Sequence, residues 1–176
     1  IDCITRKMSV QDVIREVIRI RPDYIMGELT TSSVYYDYKV LEAIKKKYPS
    51  GKIIIGGTHA TALSEQVLRE CKAIDIVVRQ EYDFTLPEIM GVVGDLQEVK
   101  GITWRSGKDI VYNPDRQWTQ DLDSLPFVSR IYQEFLDVND YFYAFARKPM
   151  IQIFSARGCP FHCNFCSYPE TMSGRN

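Results

Sequence analysis

The stretch Lys52-Ile53-Ile54-Ile55-Gly56-Gly57-Thr58-His59-Ala60-Thr61 decides the fold. Lys52 to Ile55 is a short apolar strand that runs directly into paired glycines. Glycines at a strand end let backbone approach a ligand with no β-carbon in the way. The same pair also serves as a structural turn, so the loop takes its meaning from its neighbours.

Outward from this stretch, helix and strand alternate from Ile1 to about Met90. Ser9 is placed to cap a helix whose apolar residues Val10, Val13, Ile14, Val17 and Ile18 recur at helical spacing, ending before Pro22. A strand follows at Tyr24 to Met26, then the polar loop Gly27-Glu28-Leu29-Thr30-Thr31-Ser32-Ser33. An amphipathic helix runs around Tyr38 to Lys47, with Val40, Leu41 and Ile44 inward and Lys45, Lys46 and Lys47 as a solvated cationic end that complements the helix dipole. Beyond the glycines come a helix from Leu63 to Cys71, a strand from Ile74 to Val78 ending in Arg79-Gln80-Glu81-Tyr82-Asp83, and a helix from near Phe84 to Met90. This pattern predicts an α/β, Rossmann-like (flavodoxin-like) parallel-sheet domain over residues 1–95. In such a sheet a ligand sits outside the carboxyl ends of the strands, where strand order switches. Three loops then face one rim: 27–33, 56–61 and 79–83.

Residues 96–148 change character. Val99 to Arg105 and Asp109 to Tyr112 alternate around Ser106-Gly107-Lys108 and predict a hairpin. Trp104 and Trp118 read as packing residues. The carboxylates of Gln120-Asp121-Leu122-Asp123-Ser124-Leu125-Pro126 read as solvated turn residues. Phe127, Tyr132, Phe135, Tyr141, Phe142, Tyr143 and Phe145 suit a seam between domains, with hydroxyls at its edge.

Residues 149–176 open with an apolar strand, Met150 to Phe154, and continue as Ser155-Ala156-Arg157-Gly158-Cys159-Pro160-Phe161-His162-Cys163-Asn164-Phe165-Cys166-Ser167. Cys159, Cys163 and Cys166 have CxxxCxxC spacing. An iron–sulfur cluster takes four ligands, so three thiolates leave one iron open to a non-protein ligand. Zinc is the competing metal, through the same cysteines and His162. The adjacency of His162 to Cys163 disfavours it, and no second CxxC half of a zinc ribbon exists. Arg157 reads as a solvated or backbone-bonding residue.

This loop, with the aromatic Phe165 just before its last cysteine, resembles the cluster-binding loop of the radical S-adenosylmethionine (radical SAM) enzymes. Together with the G-E-L-T-T loop, the G-G-T-H-A-T loop and the acidic third turn, nearly the whole chain resembles the B12-dependent branch of that family. There a cobalamin-binding domain precedes the catalytic (β/α) barrel. The resemblance implies a 4Fe-4S cluster on Cys159, Cys163 and Cys166, whose open iron chelates S-adenosylmethionine and cleaves it reductively to a 5′-deoxyadenosyl radical. It places Phe165 against the adenine, Leu29, Thr30 and Thr31 beside the corrin ring, and Gly56, Gly57, Thr58 and His59 beside the cofactor's tail, with Glu81 on the third loop. Relatives often carry a Gly-Glu-Gly-Glu-like turn where this chain has Arg79-Gln80-Glu81-Tyr82-Asp83. No Asp-x-His-x-x-Gly motif occurs, which implies cobalt without a protein histidine below it. Methyl transfer or oxidative cyclisation on an unactivated carbon of a small-molecule substrate follows, with an external donor such as a flavodoxin or ferredoxin. The alternatives are a cobalamin-binding module without catalysis, or a radical SAM protein whose leading domain binds no cobalamin. A tRNA methylthiotransferase needs three cysteines in its leading domain, where only Cys3 and Cys71 stand.

Composition agrees. The chain has 176 residues, 45% hydrophobic and 26% charged, with formal net charge −1. That suits one or two globular domains and suggests no bulk electrostatic attraction to nucleic acid. No apolar run approaches the roughly 20 residues that span a bilayer, and the separated Cys3 and Cys71 argue against a disulfide framework. A cytoplasmic location and no membrane partner follow as expectations. The missing initial methionine and the close of the chain ten residues after Cys166 suggest a fragment of a longer protein. Such a fragment would hold the cluster poorly.

Overall fold

A computed structural model gives the fold; it describes Cys3 and residues 5–92, 94–161, 163–168 and 171. Ile1, Asp2 and the candidate zinc ligand His162 lie outside the described residues, and Cys3 sits in a turn. Helix α1 (Val10–Ile20) starts on a reciprocal cap, with the Asp12 amide donating to the Ser9 hydroxyl and the Ser9 amide donating to Asp12. It ends at Arg21, whose φ of 52° closes the helix before Pro22. Val17 packs into the core, while Ile18 remains exposed.

The elements that follow are β1 (Tyr24–Glu28), α2 (Val34–Lys47), β2 (Lys52–Gly56), α3 (Thr58–Ala62), α4 (Ser64–Glu70), β3 (Ile76–Val78) and α5 (Thr85–Gly91). The hairpin strands β4 (Ile102–Ser106) and β5 (Asp109–Tyr112) follow, then α6 (Val128–Phe135). The five strands form one sheet in the order β1-β2-β3-β4-β5. β1, β2 and β3 are parallel, and β4 and β5 join antiparallel.

β2 lies between two parallel neighbours and has helices over both faces, which is why it reads as an unbroken apolar run. Ile53 and Ile55 enter the core under α1, α2 and α4, and Ile54 enters the opposite core with Val78, Ile89 and Trp104. All three isoleucines are essentially inaccessible to solvent. Each contributes about 1.5–3 kcal/mol relative to an exposed position.

Four sequence expectations are corrected. The hairpin is not only a linker: β4 pairs with β3, Val77 opposite Thr103, so it extends the sheet. The strand order from β1 to β3 is sequential, so among the described residues the rim has no order reversal and rests on carboxyl ends alone. Met150 to Phe154 is irregular, with Ile153 and Phe154 exposed. A strand needs a ladder of backbone bonds to a neighbouring strand, and among the described residues this segment has only isolated bonds, the Met150 amide donating to the Tyr141 carbonyl and the Tyr132 hydroxyl to the Gln152 carbonyl. Lys45 is also no free surface charge, since it donates to the Gly51 carbonyl and to Asp75, each at 2.8 Å.

Buried polar residues lock the hairpin in place. The Asn113 side chain donates to the Leu96 and Val99 carbonyls, both at 2.7 Å, and accepts from the Trp104 indole at 3.1 Å. Arg79, only 2% exposed, donates to Thr103, the Asn113 carbonyl and Asp115, with its guanidinium 3.7 Å from the centre of the Tyr112 ring. Among the described residues no helix is long and apolar enough to cross a membrane.

Candidate cofactor-binding site

The carboxyl ends of β1, β2 and β3 bring the three predicted loops together. The Leu29 amide donates to the Gly56 carbonyl at 3.0 Å, joining the first loop to the second. Thr31 Oγ1 and His59 Nδ1 are 3.0 Å apart across the same seam. The Gln80 amide donates to Thr61 Oγ1 at 2.9 Å, joining the third loop to the second. Tyr82 then donates to Glu28, closing the third loop onto the first. Burial, followed by the Glu28 carboxylate, pushes the Tyr82 hydroxyl well above the ordinary tyrosine range.

The paired glycines are explained by this closure. A β-carbon on Gly57, whose φ is +93°, would stand 2.9 Å from the Leu29 carbonyl oxygen. One on Gly56 would meet Tyr82 Cε1 at 3.0 Å and Met26 Cε at 3.1 Å. The close backbone approach that glycine permits is therefore made, in the first instance, by the rim's own loops. Gln80 also adopts a left-handed backbone, φ 60°, held by its bond to Thr61.

The predicted residues divide by exposure. Leu29 is buried and anchors the first loop in the core, Gly56 is buried, and Gly57 and His59 are half-buried. Thr30, Thr31 and Thr58 are exposed, with Thr30 Oγ1 also 3.0 Å from the Ser33 hydroxyl and Thr31 Oγ1 shared with His59, and the exposed rings of Tyr35 and Tyr36 follow at the start of α2. Hydroxyls, an imidazole and aromatic faces in one patch match the chemistry of cobalamin, a flat macrocycle fringed with amides. On donor set the rim fits that group. An open cleft of about 360 Å³ lies to one side, between Thr61, Gln80 and the Tyr112–Asp115 segment. Arg79 forms its floor, already committed to the hairpin.

Glu81 turns away from the first two loops. Its carboxylate accepts from the Thr119 amide at 3.0 Å and lies 3.8 Å from Arg157. Asp83 takes both arms of Arg157, at 2.6 and 3.0 Å. This pair is bidentate, and the Asp83 hydrogen bond raises the affinity of the guanidinium for its proton. Arg157, expected from its sequence context to be solvated or backbone-bonded, is instead ion-paired and only partly exposed. Glu28, Tyr82 and Asp83 lie in the predicted rim loops, but their sequence context assigns them no individual role; the available signal is the acidic composition of the third turn.

The cluster loop itself is open. Cys159 is half-buried, Cys163 and Cys166 are exposed, and the Cys166 amide donates to the Cys163 carbonyl at 3.0 Å. Phe165 is 93% exposed. Among the described residues no three metal-binding side chains are gathered into one set. By donor chemistry, three thiols on one loop fit an iron–sulfur cluster.

This fold, with a ligand rim at the carboxyl ends of its parallel strands, defines an α/β cofactor-binding domain. Residues 1–90 match the B12 binding domain family, and the chain belongs to it. It is 31% identical over 170 residues to an uncharacterized methyltransferase of Pyrococcus horikoshii, covering 95% of this chain and 36% of that protein. It is 28% identical over 173 residues to the anaerobic magnesium-protoporphyrin IX monomethyl ester cyclase of Cereibacter sphaeroides, covering 95% of this chain and 28% of that one. Among solved structures it resembles the cobalamin-dependent S-adenosylmethionine radical enzyme OxsB, with TM-score 0.52 and 16% identity over 62% of this chain and 16% of that one. The chain therefore spans about a third of the length of these curated relatives.

Proposed function

We propose that this chain is the cobalamin-binding and cluster-loop portion of a radical SAM enzyme. The observation that carries the reading is the conjunction of a B12 binding domain over residues 1–90 with the CxxxCxxC loop in the same chain. When bound, the 4Fe-4S cluster, S-adenosylmethionine and cobalamin supply reductive formation of a 5′-deoxyadenosyl radical and methyl transfer or oxidative cyclisation at an unactivated carbon.

The chain's residues hold and shield. Cys159, Cys163 and Cys166 would ligate as thiolates, and Phe161 and Phe165, both exposed here, would cover the sulfurs and, through Phe165, the adenine when those groups are bound. Thr30 and Thr31 would hydrogen-bond the corrin's polar fringe and Thr58 and His59 the cofactor's tail, while Leu29, Gly56 and Gly57 fix the loops that carry them. Glu81 shapes the third loop. Neither histidine sits in a cobalt-binding motif. A small-molecule substrate, an external flavodoxin or ferredoxin as electron donor and a cytoplasmic location complete the proposal.

The test is anaerobic reconstitution of the full-length parent. Iron, sulfide, a corrin spectrum and 5′-deoxyadenosine from S-adenosylmethionine are the expected products. A second reading, a cobalamin-binding module without catalysis, draws on the ungathered thiols among the described residues. Corrin uptake without iron, sulfide or 5′-deoxyadenosine would establish it instead.

A further inference from the structure

We infer that the Asp83–Arg157 pair is a latch that positions the cluster loop over the cofactor rim, and that the third loop is the bracket on which it closes. The inference rests on the functional reading above. Tyr82 reaches back to Glu28 on the first loop, while Glu81 and Asp83 both face the carboxyl-terminal segment. Glu81 accepts from Thr119, which fixes the chain leaving the hairpin. Asp83 grips Arg157, two residues before Cys159. Arg157 is 33% exposed and Asp83 30%, so the pair sits at a partly desolvated seam.

The geometry of the pair makes it a positioning device. A bidentate guanidinium–carboxylate contact fixes direction as well as distance. Around it the loop has little else: Phe154, Ser155 and Ala156 before it and Pro160 and Phe161 after it are exposed. Arg157 therefore sets where the first thiol stands relative to Thr30, Thr31 and Thr58. Neither Arg157 nor Asp83 need touch substrate for this.

Double electron–electron resonance between nitroxides tests the latch in this chain. The labels go on non-natural keto residues at the exposed positions Lys72 and Asn164, leaving the native cysteines untouched. The parent chain should give one dominant distance. Asp83→Asn and Arg157→Gln should each lower the population at that distance about threefold to fivefold, the range of a partly exposed ion pair. The exchanged variant Asp83→Arg/Arg157→Asp should restore it. Unchanged distances in both single variants overturn the latch, as does an exchanged variant that folds, by circular dichroism, without recovering the parent distance. Salt should shift the population less than either single variant, because the pair is partly desolvated. Corrin absorption on the same samples separates the two readings. Corrin uptake without a distance effect defeats the latch alone. A distance effect without corrin uptake defeats the functional reading and leaves the pair a contact of the fold with no cofactor to serve.

Discussion

Thr31 Oγ1 and His59 Nδ1 meet at 3.0 Å although 28 positions separate them. The contact joins the loops after β1 and β2 and orients an imidazole beside exposed hydroxyls. Which nitrogen carries the proton follows from the partner the ring finds on its other side.

Removing either side of that contact should weaken cofactor uptake. Thr31→Val and His59→Phe should each reduce hydroxocobalamin affinity by about threefold to tenfold, the effect of one hydrogen bond. Titration followed by corrin absorption measures it. Unchanged affinity in both variants would remove this patch from the binding surface.

The glycines should differ sharply in tolerance. Gly57→Ala places a β-carbon 2.9 Å from the Leu29 oxygen at φ +93°. It should destabilise the domain by about 2 kcal/mol. Gly91→Ala, at an exposed helix end with nothing within 4 Å, should lie within about 1 kcal/mol of the parent, on the stabilising side. Urea midpoints compare the two.

Asn113→Ala should be the costliest hairpin substitution. It strands the Leu96 and Val99 carbonyls and the Trp104 indole N–H in a buried setting. A loss of about 3 kcal/mol follows from unsatisfied buried groups, read from chemical denaturation.

Acid should fray α1 in a defined window. The Ser9 hydroxyl, then the Ser9 amide and Arg15, hold the Asp12 carboxyl at about 2 rather than its ordinary 3.8. A depressed carboxylate stabilises the fold above its unfolded value and loses that contribution as pH falls through the folded one. Helicity of α1 should therefore decline between about pH 4 and pH 2. Far-UV circular dichroism should show an Asp12→Asn variant without this step.

Much of the fold was legible because its signals are local. Helical spacing marked α1 and α2, the Ile53-Ile54-Ile55 run marked β2, and Gly107 at φ +61° marks the hairpin turn that the sequence predicted. What failed had non-local causes. The Met150 to Phe154 run has strand composition but no partner strand among the described residues, and the four residues Val34 to Asp37 at the start of α2 precede the periodic signal at Tyr38. The aromatic segment was read as a seam, yet Phe127, Phe142 and Phe145 are largely exposed among the described residues. Aromatic density specifies apolar surface but not the surface that covers it.

By itself the sequence determined the helix and strand types of α1, β1, α2, β2 and the hairpin, the three rim loops and the thiol spacing, because periodicity, glycine placement and cysteine intervals are properties of neighbouring residues. Only the tertiary structure decided that Leu29 fills the space beside Gly57, that the hairpin extends β3, and that Asp83 grips Arg157. With 22 cationic and 23 anionic side chains, complementary charge alone selects no pair. Coulomb attraction is the same for every pair at equal separation. The fold chooses among them by bringing two residues 74 positions apart into contact.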